Sequence, residues 1–356
     1  MRADPLYLRD AARMLHLGEL PVATVGSLAV TAVISIAQLA VTYACRTLLG
    51  AVWQPASSTG PRLLQPLWAT LTSPPYEAYT ASPLFPGMVS MLFYFVACSP
   101  WAVLDLLRVR RFKSQPDAPQ RPDAWQHTLG LTAKHHLLLI FPGLYLSFRS
   151  RGPWLYHHAP PICWEQCDGM RLPSLAPRLD ELLLHVAACF VIFDAAYGLW
   201  HWLHHRSPLL YKHIHSIHHE YHAPFAWVTQ HEHALELLPV SLWSMTVPIG
   251  LGVHPLTQWV WLFAAIWASV EAHCGYQLGG GVLLHRLLPA WSGPRGHDDH
   301  HKLPRSNFQP FFNYFDRAFG QTYEQVSRRE AEARGVARGK AAAEGGAEAR
   351  REAKRE

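Results

Sequence analysis

The chain has 356 residues, of which 49% are hydrophobic and 16% charged, with a formal net charge of +5. Soluble domains typically carry about 25% charged residues, so this balance argues against an ordinary soluble globule. The positive excess is modest, and no soluble stretch alternates basic with aromatic residues, so nothing points to nucleic acid.

Taken in chain order, the N-terminal charges Arg2, Asp4, Arg9, Asp10, Arg13 and Glu19 are of mixed sign, and an uncharged run follows at 21–45. That run is too long for the core of a cleavable leader and reads as a retained span. A second uncharged run covers 83–104, with Arg108, Arg110, Arg111 and Lys113 just beyond it. Basic residues beside a span favour the cytosol, which makes the first two runs a hairpin with 46–82 outside. Residues 113–123 form a polar, proline-broken linker. The stretch 129–148 is apolar but interrupted by Lys134, His135 and His136 and reads as a re-entrant or interfacial helix. If it crosses, 149–180 is a second external loop, a placement that Arg149 and Arg151 oppose.

The next run, Leu182 to Trp200, holds a single acid, Asp194. An ionisable group inside a span is costly and usually has a job. Residues 237–270 carry no charge except neutral His254 and are long enough for two helices turning at His254-Pro255. From Arg328 to Glu356 the chain is mostly Ala, Glu, Arg and Gly, a composition that buries no core and fits a frayed helix or disorder. The expected fold is an all-α integral membrane bundle with a cytosolic histidine-bearing portion: a membrane unit at 1–325 and a charged tail at 326–356. Cys45, Cys98, Cys189 and Cys274 lie in or beside apolar runs; Cys163 and Cys167 share a loop and either pair or stay free. No C-x-x-C motif is present, which leaves cysteine out as a metal ligand.

Sixteen of the 23 histidines lie between residues 201 and 301. Three clusters repeat one spacing: His201, His204 and His205; His215, His218 and His219; His297, His300 and His301. Neutral imidazole is the commonest protein metal ligand, and on a helix i, i+3 and i+4 share a face. A buried imidazole without a partner costs free energy, so packing alone does not explain the repetition. His201, His205, His215, His218, His219, His297, His300 and His301 form the core ligand set, and His273 joins it at the end of the last apolar run. An octahedral ion takes about six ligands, so eight or more imidazoles imply two ions. All-nitrogen ligation beside apolar spans points to oxygen activation on a lipid, with two Fe ions preferred and zinc or copper left open.

His204 sits about 100° around the helix from His205 and reads as a non-ligand. Asp194 shares the face of His201 and reads as a carboxylate fixing an imidazole tautomer. His231 and His233 are weaker ligand candidates. His213, His222, His254 and His285 read as surface or packing residues, and His135 and His136 as interfacial. His16, His127, His157, His158 and His185 carry no spacing signal.

The segment from Phe193 to His219, the element Ile266 to Tyr276, the box His297 to His301 and the following Asn307 to Gly320 together resemble the fatty acid hydroxylase/sterol desaturase superfamily. The similarity covers roughly 84–325, and Lys113 to Asp117 resembles a short upstream motif of the same family. The resemblance implies a non-haem di-iron centre, O2, electrons from NAD(P)H through a cytochrome b5-type carrier, a sterol or related lipid substrate, and the endoplasmic reticulum membrane with the boxes facing the cytosol. It implies hydroxylation first, with methyl oxidation or desaturation on the same cage as the alternative; a non-redox zinc protein is the reading from another class. Two departures stand out. His233-Ala-Leu-Glu236 replaces the family's His-Pro-x-Glu, and Ala272-His273 replaces Asp-His.

Overall fold

The computed structural model describes residues 19–52, 61–82, 84–119, 121–143, 172–278 and 287–336. The expectations for the N-terminal charges up to Arg13, for His16, His157, His158, His285, Arg149, Arg151, Cys163 and Cys167, and for the tail beyond 336 lie outside the described residues. Cys45, Cys98, Cys189 and Cys274 are free thiols.

Among the described residues the regular structure is helical, with two isolated β-bridges, Lys113 to Tyr276 and Trp291 to Phe312. The helices are α1 (Glu19–Val52), α2 (Gln65–Leu71), α3 (Glu77–Thr80), α4 (Phe85–Leu106), α5 (Ala124–His135), α6 (Leu179–Arg206), α7 (Pro208–His213), α8 (Ala234–Leu251), α9 (Pro255–His273), α10 (Gly293–Lys302) and α11 (Tyr314–Ala318). Two 3-10 turns, His215–Glu220 and Ala226–Gln230, lie between α7 and α8, and a π-helical turn, His136–Ile140, extends α5. Residues 323–336 are helical as well. Among the described residues four helices are long and apolar enough to cross a membrane: 21–50 within α1, then α4, α6 and α8. The uncharged run at 237–270 does become two helices. Gly252, at φ 72°, closes α8, and His254 caps α9 by accepting the Leu256 N–H through its ring.

α1 lies along α8 and α6, while α9 packs on α4, α6 and α10. The core is aromatic: Phe193, Tyr197, Trp200, Trp243, Trp261, Trp291 and Phe311 fill one cluster. Between apolar helices in lipid the hydrophobic effect supplies no attraction, so packing and polar contacts must hold them. α1 provides these with a ladder at three- and four-residue spacing. Ser27 meets His204 (3.1 Å), Thr31 accepts from the Trp200 indole (3.0 Å), Ser35 accepts from the Trp243 indole (2.8 Å) and Gln38 accepts from Thr246 (3.2 Å).

The helix ends sort into two layers. At one end Arg62 and Gln65 bind the 174–176 backbone, Trp68 donates to Pro173 O (2.6 Å), and the His254 ring meets Leu175 O (3.0 Å). At the other end lie the start of α1, the ends of α4, α6 and α9, the start of α8, and every ring of the three histidine clusters. Arg108, Arg110, Arg111 and Lys113 leave α4 on that same side, where the Lys113 ammonium pairs with Asp105 (2.6 Å).

Candidate metal centre

Helix geometry places the first box. His201 and His205 sit one turn apart near the end of α6 and face the same way, whereas His204 turns aside. Its ring stacks on Trp200 at 3.5 Å, its Nδ1 meets Trp200 O (2.9 Å), and its Nε2 meets Ser27 of α1. The second box is not α-helical. It forms the 3-10 turn His215–Glu220, in which His215 and His219 meet through Nε2 at 3.1 Å while the Nε2 of His218 meets His273 at 3.2 Å. The third box occupies α10, and Gly275, at φ 72°, turns the chain just after His273 so that α9 ends beside α10.

Two groups of imidazoles result. His201, His205, His215, His219 and His300 form one, and His218, His273, His297 and His301 the other; within each, one nitrogen per ring lies within 4.8 Å of all the rest. All nine residues singled out from the sequence are therefore brought together. The expectation that each H-x-x-H-H presents three rings on one side is corrected: residues four apart share a group, while His218 and His300 cross to the opposite one and His204 joins neither.

The proton positions decide what such groups fit. Six rings turn Nδ1 toward a fixed acceptor: His201 to Phe308 O (2.6 Å), His215 to Glu236 Oε1 (2.9 Å), His218 to His231 O (3.4 Å), His273 to Ser269 O (2.8 Å), His300 to Ser306 O (2.6 Å) and His301 to Tyr221 O (3.0 Å). A neutral ring that donates from Nδ1 carries a bare lone pair on Nε2. Yet Nε2 of His201 faces Nε2 of His215 at 2.9 Å, and Nε2 of His273 faces Nε2 of His218 at 3.2 Å. Neither contact has a proton to share, so the facing lone pairs repel unless a cation lies between them. Nitrogen ligands at about 2.1 Å from a metal that meet at right angles stand about 3.0 Å apart. Adjacent Nε2 atoms in the first group are 2.9–3.2 Å apart and the pair His273–His297 is 2.8 Å apart, which matches.

Burial reinforces this. It is the largest influence on His215, His218, His219, His297 and His301 and holds their pKa values well below the usual histidine range, with neighbouring imidazoles pushing the same way. His300 is pushed down to about 3 by the same burial. These rings stay neutral and metal-competent through the physiological range.

Asp194 is placed differently from its sequence reading. Among the described residues it touches no imidazole. Its Oδ1 accepts the N–H groups of Phe311 (2.8 Å) and Phe312 (3.1 Å), and its Oδ2 accepts from the Gln309 amide (2.6 Å). Asp316 grips the same loop by accepting the Phe308 and Gln309 N–H groups (2.9 and 3.1 Å). The two acids thus hold the loop whose Ser306 and Phe308 carbonyls orient His300 and His201. Among the described residues, the carboxylate that meets a ring of the two groups is Glu236, the last residue of the His233-Ala-Leu-Glu236 motif. His233 caps α8 through Leu235 N (3.1 Å) and lies in neither group. His231 binds Glu220 (2.8 Å), His222 binds His301 O (3.2 Å) and His136 binds Gln230 (2.9 Å), all outside the two groups.

An apolar helical bundle with paired imidazole cages at one end defines an integral membrane protein suited to holding metal. A family model described as fatty acid hydroxylase matches residues 186–321. The chain is 40% identical over 264 residues to zebrafish (Danio rerio) cholesterol 25-hydroxylase-like protein 2, covering 71% of this chain and 87% of that one. It is 36% identical over 270 residues to human cholesterol 25-hydroxylase (74% and 92% covered) and 37% over 265 residues to the mouse enzyme (72% and 82% covered). No solved structure matches. The chain belongs to the fatty acid hydroxylase family, a metal-dependent family of oxygen-dependent hydroxylases, and is an oxidoreductase.

Proposed function

We propose that the chain is a membrane mono-oxygenase that holds two iron ions and hydroxylates a C–H bond of a sterol or related lipid. His201, His205, His215, His219 and His300 hold one ion; His218, His273, His297 and His301 hold the other. The observation carrying this reading is the set of Nε2 lone pairs that face each other with no proton between them. Bound iron supplies the binding and reductive activation of O2. The overall reaction takes up O2, two electrons and two protons, converting C–H to C–OH and releasing water.

The chain's own residues keep six of the nine rings in one tautomer. Phe308 O, Ser306 O, Tyr221 O, His231 O and Ser269 O accept their Nδ1 protons, as does Glu236. Asp194 and Asp316 keep the 308–312 loop in place. The substrate class rests on the relatives named cholesterol 25-hydroxylase. The electron donor is a cytochrome b5-type carrier fed by NAD(P)H, and the membrane is that of the endoplasmic reticulum. The histidine layer faces the cytosol, because Arg108, Arg110, Arg111 and Lys113 emerge there. The hydroxylase unit spans 1–325, with 326–356 as a charged extension.

The test is expression in membranes with reductant, sterols and isotopically labelled dioxygen. One labelled oxygen atom in a sterol or lipid product supports the reading. A product two hydrogens lighter assigns desaturation instead, and no lipid product with any sterol or fatty lipid rejects it.

A further inference from the structure

Outside the two cages, a third convergence of ligand-type side chains faces the solvent layer. The Nδ1 of His127 on α5, an oxygen of Glu220 and a ring nitrogen of His231 lie within 4.8 Å of one another. His231 Nε2 is 2.8 Å from Glu220 Oε2, and His127 Nδ1 is 3.8 Å from that same oxygen. The Tyr221 hydroxyl adds a fourth ligand-type atom, 3.1 Å from His127 Nδ1. We propose that His127, Glu220 and His231 form a third metal site, for one divalent first-row transition ion such as Zn2+ or Fe2+.

The neighbouring charges permit it. Arg121 is spanned by both oxygens of Asp123 (3.2 and 3.1 Å) and gives only its remaining NH1 to Glu220 Oε1 (2.7 Å). Asp123 thus offsets the guanidinium, and Glu220 Oε2 remains directed at the two imidazoles. Two imidazoles and a carboxylate with one open side suit zinc or ferrous ions. The side chains of His127 and Glu220 are 41% and 26% exposed, so this ion exchanges with bulk water, unlike one enclosed by the fully buried rings of His201 and His215.

The site also has a structural role. It ties α5 to the 3-10 turn of the second box and to the strap before α8. Tyr221, which flanks it, and His231, which belongs to it, supply the carbonyls that accept from His301 and His218. That consequence for the four-imidazole group rests on the proposed function; the ion binding itself does not.

The test is Co2+ titration of the full-length protein in detergent micelles, followed by gel filtration and elemental analysis. Wild type is expected to retain one cobalt per chain more than His127→Ala and one more than Glu220→Gln. His213→Ala, which removes an imidazole elsewhere, is expected to keep the wild-type count. Because His127 is partly exposed, its truncation leaves no buried void, and the glutamine variant provides a second reading that preserves volume. Equal cobalt in wild type and both variants overturns the proposal and leaves a hydrogen-bonded cluster only. The difference, not the total, is decisive: a total of one with the difference intact rejects the two-ion cages and keeps this site.

Discussion

Replacing Asp194 with asparagine should loosen the five-imidazole group while the bundle stays folded. In the native chain Asp194 accepts from Phe311 N, Phe312 N and the Gln309 amide. Asparagine keeps one oxygen for the two backbone donors but turns an NH2 toward the NH2 of Gln309. Gln309 cannot rotate its amide to escape, because its Oε1 already accepts from Phe315 N (2.6 Å) and Asp316 N (3.4 Å). Each amide orientation therefore leaves a buried donor facing a donor, which costs about 1–3 kcal/mol. The strain falls on the loop whose Ser306 and Phe308 carbonyls orient His300 and His201. Losing a ligand's outer support weakens metal binding by about 10–100-fold. Asp194 acts one link further out, so a loss near the lower end of that range is expected. The readouts are thermal unfolding in detergent and metal affinity by chelator competition. Adding Gln309→Glu supplies an acceptor opposite the asparagine NH2 and should recover most of the loss. Wild-type melting and affinity in Asp194→Asn, or no recovery in the double variant, would refute the reasoning.

His204→Ala should lower the melting temperature by removing the Trp200 stack and the Ser27 contact, yet leave the metal count unchanged, whereas His205→Ala should lose metal; equal metal loss in both would reverse the ligand assignment. Gly275→Ala forces a side chain onto φ 72° and builds a Cβ 2.5 Å from Pro224 O. The conformation alone costs about 1–2 kcal/mol, and the displaced turn should weaken metal retention by the group containing His273, seen as earlier loss to a chelator. The buried rings of the second and third boxes have depressed pKa values, so the folded chain stays unprotonated there while the unfolded chain takes up protons below about 6.5. Stability of the metal-stripped protein is present above that pH and is lost as pH falls from about 6.5 toward 3; a denaturation midpoint unchanged from pH 8 to pH 5 would contradict it.

Much of the site was legible because four-residue spacing is a local property. His201 and His205 on α6 and His297 and His301 on α10 each share a group, as one turn of α-helix requires; His215 and His219 share one too, although their turn is 3-10. The partition was not legible, because it depends on His218 and His300 each meeting rings from other segments and on α9 delivering His273 next to α10. Asp194 stood out as an acid in a span, but its partners lie on a loop more than a hundred residues further along the chain, which no periodicity reveals. His127 carried no signal for the same reason: Glu220 and His231 reach it only through tertiary folding. The spans followed from uncharged length. The polar ladder of α1 was hidden inside such a run, since Ser27, Thr31, Ser35 and Gln38 acquire meaning only once α6 and α8 lie alongside.

Five of the six acceptors that orient the imidazoles are peptide carbonyls, at Tyr221, His231, Ser269, Ser306 and Phe308. Exchanging the side chain at Ser306 or Phe308 leaves its oxygen where it was. Ring tautomers are thus inherited from the route of the main chain and are invisible to a survey by substitution. An engineer wishing to retune this centre would have to reroute a loop or replace an amide with an ester, not simply swap a residue.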